Sequence, residues 1–379
     1  MLQCRVEEIR LGEACYNGRS CYSAALQVTD RTHFPTISQV ELRTLSELRR
    51  QFEQEDSMKL LVIALWSASI FGFFSGYALA EPSQPIAQVP TSFDGKRAYD
   101  YLRQLCALGN RMSGSPGMQK QQELLEKHFK ELGGQVTWQR FQTKHPLTGK
   151  PVPLANLIVQ WNPESTERIL LCAHYDTRPL PSQDVDPRQR REGVFLGAND
   201  GASGTAVLME LANHVKSLPE RYGLDFVLFD AEELVYSDRR DPYFLGSEYF
   251  AREYSKNNRD YEYVAGVLLD MVGDSKLSIY QEHNSVAWRD TRPIVQGIWD
   301  TAARLGVNEF IPRVGYEVRD DHIPLHKIGG IPVCDVIDFE YPDRSNRYWH
   351  TTADTPNRCS ADSLGKVGLV MLEWLRSAE

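Results

Sequence analysis

The sequence predicts an α/β protein, a three-layer α/β/α sandwich around a central mixed, mostly parallel sheet. Strand-like runs alternate with helical patterns from residue 93 onward, as they do when helices cover a parallel sheet. The run from Arg168 to His174 is almost wholly apolar after its first residue, which suits a central strand buried on both faces. Acidic and histidine residues then recur at the ends of these runs, where open α/β sheets collect their ligands.

Residues 1–57 contain three of the seven cysteines, a mixed polar composition and no sustained periodicity. Met58-Lys59 follows, then an almost uncharged stretch from Leu60 to Ala80, closing on Tyr77-Ala78-Leu79-Ala80 before Glu81. That is the layout of a secretory signal peptide with a small-x-small cleavage site. It makes Met58 the expected start and 1–57 a non-native or disordered extension. A second reading of 58–80 is a membrane anchor, since about 20 apolar residues suffice to span a bilayer. Both readings put the remainder outside the cytoplasm: secreted or periplasmic, free or membrane-anchored. Residues 81–92, rich in Pro, Ser and Gln, read as a linker, and 93–379 as the catalytic domain.

Within that domain, Phe93 to Phe129 shows apolar residues at helical intervals, interrupted by Ser113-Gly114-Ser115-Pro116-Gly117, so two helices flank a loop. Gly133-Gly134 ends the second. Gln135 to Phe141 alternates as a strand, and Leu154 to Gln160 and Arg168 to His174 follow as strands. A polar, charged run from Asp176 to Glu192 reads as a long loop. Val207 to Val215 is an expected helix, Leu224 to Phe229 a strand, Gly246 to Tyr254 a helix, and Val264 to Leu269 and Ile331 to Ile337 strands. Ala361 to Leu375 closes the chain as an amphipathic helix.

A formal charge of −9 and a pI near 5.6 exclude a nucleic-acid surface, which needs clustered positive charge. Cys106, Cys172, Cys334 and Cys359 are spaced too widely for a metal-binding pair, and Cys172 and Cys334 sit in apolar runs as small buried hydrophobes.

The chemistry gathers at the strand ends. Asp200 stands among Gly197-Ala198-Asn199 and Gly201-Ala202-Ser203-Gly204, ahead of an apolar run, as a metal ligand or as a helix cap. Other runs end in His174-Tyr175-Asp176, in Asp230-Ala231-Glu232-Glu233 and in Asp270; Asp320-Asp321-His322 and Trp349-His350 follow later. Carboxylates buried together are costly without a compensating cation, and zinc accepts this mixture of imidazole nitrogen and carboxylate oxygen. In the pair Glu232-Glu233, one carboxylate can hold the metal while its neighbour moves protons. Asp270 and Asp320 can share hydrogen bonds with each other or with Glu232. His322 either orients a carboxylate or closes a turn, and Trp349 offers a flat wall to a ligand. The six other histidines, His33, His128, His145, His214, His283 and His326, lack such context and read as structural or surface residues.

Six motifs in this order, His174-Tyr175-Asp176, Gly197-Ala198-Asn199-Asp200, Asp230-Ala231-Glu232-Glu233, Leu268-Leu269-Asp270-Met271-Val272-Gly273, Asp320-Asp321-His322-Ile323-Pro324 and Trp349-His350-Thr351, resemble the superfamily of zinc aminopeptidases and glutaminyl-peptide cyclotransferases. The resemblance runs from about Phe93 to Leu375. For a dinuclear aminopeptidase it implies two zinc ions on His174, Asp200, Glu233, Asp270 and His350, with Glu232 activating water. For a glutaminyl cyclase it implies one zinc on Asp200, Glu233 and His350, and Glu232 as proton shuttle. Asp270 and Asp320 then form a catalytic carboxylate network, and Trp349 and His322 belong to the substrate pocket.

Asp320-Asp321 before His322, and Trp349 before His350, resemble the cyclase branch; Asn199-Asp200-Gly201-Ala202-Ser203-Gly204 resembles the peptidase branch. The balance favours the cyclase, acting as a monomer on peptide or protein N-termini. A binding module without catalysis would have been expected to lose Glu232 or a ligand. A cytosolic carboxypeptidase of the same superfamily would need a dimerisation domain that the interval from Asp270 to Asp320 is too short to hold.

Overall fold

The computed structural model describes residues 92–256 and 259–378, which lie within one compact unit. The extension 1–57, the stretch 58–80 and the linker up to residue 91 lie outside the described residues.

In chain order the elements are α1 (Gly95–Ala107), α2 (Pro116–Glu131), β1 (Gln135–Lys144), β2 (Pro151–Trp161), β3 (Glu167–His174), a short α3 (Gln189–Glu192), α4 (Ala202–Leu211), β4 (Gly223–Phe229) and α5 (Leu245–Lys256). Then come β5 (Glu262–Asp270), β6 (Ile279–Gln281), α6 (His283–Ala287), α7 (Arg292–Leu305), β7 (Phe310–Val314), α8 (His322–Lys327), β8 (Val333–Ile337) and α9 (Ala361–Ser377). The first two helices start where side chains can cap them. Asp94 accepts the N–H groups of Lys96 and Arg97, and Ser115 accepts that of Met118 just ahead of a first-turn proline.

Six strands form the central sheet in the order β1-β2-β4-β3-β5-β8. β1 and β2 pair antiparallel, as do β2 and β4, while β4, β3, β5 and β8 run parallel. The sheet is therefore mixed and mostly parallel, as expected. Alternation along each strand feeds two cores. Leu171, Leu228 and Val267 pack with Leu102 of α1, Leu125 of α2, Leu208 of α4, Ile298 of α7 and Leu372 of α9. Leu170, Val227 and Leu268 face the other way, toward Phe250 of α5 and Leu325 of α8. The sheet thus lies between two helical layers. Every residue of β4 and all but the first of β3 are buried, whereas edge strand β1 alternates half-buried and exposed positions.

Two expectations shift. The helix after Asp200 begins at Ala202, five residues before the expected Val207, and ends at Leu211. All ten of its residues are buried, so it carries no polar face from which a period could be read. Residues 283–327 hold three helices and one strand of a separate pair, β6 with β7, none of which was expected. The signal for α7 was present: Ile294, Val295, Ile298, Trp299 and Ala302 are buried at helical spacing, with a proline in the first turn and Gly306 as a left-handed cap.

Membrane anchoring, and the localisation that included it, are corrected. No helix among the described residues is long and apolar enough to cross a membrane, and the apolar stretch 58–80 lies outside them. The four described cysteines are buried and free.

Helix α4 approaches the sheet through a residue without a side chain: a Cβ on Gly204 would lie 2.1 Å from the carbonyl oxygen of Leu269 and 3.0 Å from Cβ of Ala173. Gly204→Ala is expected to destabilise the fold by about 1–3 kcal/mol, the usual cost of overpacking, read as a lower urea midpoint at unchanged slope.

Candidate metal centre

The parallel strands end on one side of the sheet, and their ends carry the ionisable groups. β3 ends in His174, Glu232 and Glu233 follow β4, β5 ends in Asp270, and the loop before α4 brings Asp200. His350 arrives from the segment after β8. Several of these positions need unusual backbone. Ala231, Met271 and His350 all have positive φ, at 58°, 49° and 54°, which ordinary residues adopt only where the surroundings enforce it.

Asp200 is not a cap. Gly201 occupies the N-cap of α4 at φ 89°, with no side-chain cap hydrogen bond, and a Cβ there would lie 2.9 Å from Cε1 of His174. The Asp200 carboxylate instead points between two imidazoles. Nε2 of His174 lies 3.2 Å from its Oδ1 and Nε2 of His350 lies 3.4 Å from its Oδ2. His350 Nε2 also lies 2.7 Å from Glu233 Oε1, and His174 Nε2 lies 3.3 Å from Asp270 Oδ1. Asp200, Glu233 and His350 form one buried group able to hold a metal ion; His174, Asp200 and Asp270 form a second, and His174, Glu232 and Glu233 a third. The donor set fits such an ion. Asp200 Oδ2 and Glu233 Oε2 are buried with no hydrogen-bond partner, a state that costs about 1–3 kcal/mol per group unless something compensates it.

A small cleft opens onto this edge, lined by Asp200, Glu232, Glu233, Asp270, Asp320, Trp349 and His350, with Val318, Arg319, Ile337 and Phe339 among the rest. Trp349 forms a wall, stacked on the His350 ring at 3.7 Å and edge-on to Phe339 at 5.5 Å. Neighbouring acids divide their roles by direction. Asp320 lines the cleft, whereas Asp321 turns back to accept a short hydrogen bond from Ser247 of α5.

His322 is placed differently from the pocket role the resemblance implied. It is fully buried, with Nε2 3.4 Å from Glu282 Oε2 and Nδ1 3.6 Å from Asp335 Oδ2. Opening α8 directly after the turn, its ring points into the protein rather than into the cleft.

Burial dominates the electrostatics. It pushes Glu232 well above the usual carboxylate range, reinforced by Glu233 and opposed by His174. Burial and then the charge of Asp270 push Asp320 well up. Asp270 is also raised by burial, against the pull of His174. Asp200 goes the other way: burial would raise it, but His174 and His350 outweigh burial and hold it below the ordinary range.

Two carboxylates without a role in the sequence reading hold the backbone of the site. Asp176 accepts the N–H groups of Glu232 (3.0 Å) and Glu233 (3.1 Å), and Asp354 accepts those of Asn199 (2.8 Å) and Asp200 (3.2 Å). Tyr341 donates its hydroxyl to Asp354 at 2.8 Å. Arg178 was also missed. Its side chain is fully buried, reaches Glu233 Oε1 at 3.4 Å and pairs closely with Asp238. Asp176 stood within the motif His174-Tyr175-Asp176 and Asp354 three residues beyond Trp349-His350-Thr351, but nothing in sequence marks a buried arginine against a surface one.

The profile of peptidase family M28 matches residues 156–375, more than half of the chain and all the strand-end positions. The chain belongs to peptidase family M28. Among solved structures, this M28 protein is similar to the glutaminyl cyclase of Fimbriiglobus ruber, at 38% identity over 79% of this chain and 100% of that one, with a TM-score of 0.71. It is also similar to a Zn-dependent exopeptidase from Parabacteroides distasonis, at 30% identity over 76% and 100% of the two chains, TM-score 0.69. The glutaminyl-peptide cyclotransferase of Gloydius blomhoffii is 26% identical over 301 residues, covering 70% of this chain and 77% of that protein.

Asp176→Asn in this M28 protein removes the charge that holds two consecutive amides under Glu232 and Glu233. Zinc affinity, measured by competition with a chelator, is expected to fall about 10- to 100-fold, as for other residues that orient ligands from behind.

Proposed function

We propose that this M28 protein is a glutaminyl-peptide cyclotransferase, converting the N-terminal glutamine of peptides to pyroglutamate with release of ammonia. The observation that carries the reading is the pair of buried carboxyl groups, Asp270 and Asp320, facing the same cleft as Glu232 and the Trp349 wall. Glu232 and Asp270 could serve either branch, whereas Asp320 and Trp349 in the same cleft support the cyclase. The similarity to the Fimbriiglobus ruber glutaminyl cyclase supports the same branch.

In this reading Asp200, Glu233 and His350 hold one zinc ion. Bound there, zinc would supply Lewis-acid polarisation of the substrate's γ-carbonyl. Burial lowers the pKa of His174, but its contacts with Asp176, Asp200 and Asp270 outweigh burial and raise it above the usual imidazole range.

The reaction forms a bond between the α-amine nitrogen and the γ-carboxamide carbon, and breaks the bond from that carbon to the amide nitrogen. Glu232 takes the proton that the amine must lose and delivers it to the departing nitrogen, which leaves as ammonia. Its raised affinity for protons suits it to both transfers. Asp270 and Asp320 hold the amine and the amide in line, Asp320 as a protonated donor. The substrate supplies proximity itself, because nucleophile and carbonyl belong to one residue. That residue would enter the cleft beside Trp349, with the peptide extending outward.

Ammonia release from a glutaminyl dipeptide, with little nitroaniline from leucine p-nitroanilide, is the expected result; the reverse would make the protein an aminopeptidase. Metal analysis is expected to give one zinc per chain, and two would favour the peptidase. Glu232→Gln is expected to lower kcat by about 10²- to 10⁴-fold with zinc retained. Because Glu232 must start ionised and burial raises its pKa, kcat/KM is expected to fall as pH drops through a midpoint above the usual glutamate range.

A further inference from the structure

Behind the cleft lies a second set of ionisable groups that the reaction does not touch. Glu282, His322 and Asp335 are all but fully excluded from solvent. Both ring nitrogens of His322 and both carboxylate oxygens of Asp335 lack a hydrogen-bond partner, although the two residues are 3.6 Å apart. Buried groups so placed are rare without a purpose, because each forfeits its hydration.

Their connections lead to Asp320. Glu282 caps α6, accepting the N–H groups of Asn284 (2.9 Å) and Ser285 (2.7 Å) and the Ser285 hydroxyl (2.7 Å). It also accepts the N–H of Val318 at 3.2 Å, fixing the strand of chain that enters the cleft two residues before Asp320. His322 leaves the same turn two residues after Asp320, whose carbonyl accepts the N–H of Ile323 at 2.9 Å. Asp335 lies in β8, its own N–H held by the Ser285 hydroxyl at 3.0 Å, and the strongest charge acting on it is that of Asp320. The turn bearing Asp320 is therefore held on one side by Glu282 and flanked on the other by His322 and Asp335.

We propose that Glu282, His322 and Asp335 form a positioning relay that orients Asp320 from behind, making them specificity- and rate-determining without contact to substrate. The inference rests on the reading of Asp320 as a carboxyl acting on substrate in the cleft. Glu282, pinned by four donors, is the fixed end. His322 directs one ring nitrogen at it and the other at Asp335. A shortening of about 0.5 Å in each pair would bring both within hydrogen-bond range.

The test compares two variants of the same branched outline. Asp335→Leu removes the hydrogen-bonding capacity at somewhat greater bulk; Asp335→Asn keeps both size and capacity. Replacing a buried polar group by an apolar one of similar size need not destabilise. The purified full chain is assayed for ammonia release from a glutaminyl dipeptide, with zinc content and Tm measured alongside. Asp335→Leu is expected to lower kcat about 10- to 100-fold with KM, zinc content and Tm close to the parent, and Asp335→Asn to recover most of the loss. A parental kcat in Asp335→Leu overturns the relay, as does a loss of kcat that tracks a loss of Tm and that Asp335→Asn fails to recover. If Asp335→Leu does not fold, His322→Gln decides: reduced kcat at unchanged KM supports the relay, and parental kcat overturns it. A parent chain that releases no ammonia overturns the cyclase reading instead, and the same variants are then scored on leucine p-nitroanilide.

Discussion

Asp176 and Asp354 each accept two consecutive backbone N–H groups, and those amides belong to Glu232, Glu233, Asn199 and Asp200. A carboxylate clamped to two adjacent amides fixes the peptide plane between them, and with it the direction in which the side chains leave. The clamped amides lie next to the positive-φ residues Gly201 and Ala231. The candidate ligands are thus aimed by buried acids one layer behind, and Asp354 is held in turn by the Tyr341 hydroxyl.

The electrostatic consequence is a site full of acids in which few are free to ionise. Asp200 stays ionised because two imidazoles face it, while Glu232, Asp270 and Asp320 are pushed toward their protonated forms by burial and by one another. A cation at Asp200, Glu233 and His350 would favour ionisation of its own ligands and leave the cleft acids as proton carriers. One region would then both hold a metal and store protons, the combination that the proposed amide cyclisation calls for.

Similarity to both a cyclase and an exopeptidase follows from the shared scaffold, since fold by itself does not fix the reaction. What separates the two chemistries here is which groups face the cleft. Asp320 and Trp349 face it; His174 stands behind, between Asp200 and Asp270.

Much of this was legible in the chain itself. Parallel strands read as apolar runs because both faces are covered, and the strand-end residues His174, Asp200, Glu232, Glu233 and Asp270 stood out because carboxylates rarely follow such runs without a reason. The sequence determined the fold class and this inventory of groups, since periodicity and local chemistry are properties of neighbours along the chain. It did not determine that α4 starts at Ala202, because a helix buried on every side has no period to show. Nor did it reveal Arg178 beside Glu233, or His322 turned away from the cleft between Glu282 and Asp335. Those depend on which residues far apart in sequence share one buried volume, where burial and contact set direction and charge, and only the tertiary structure decides that.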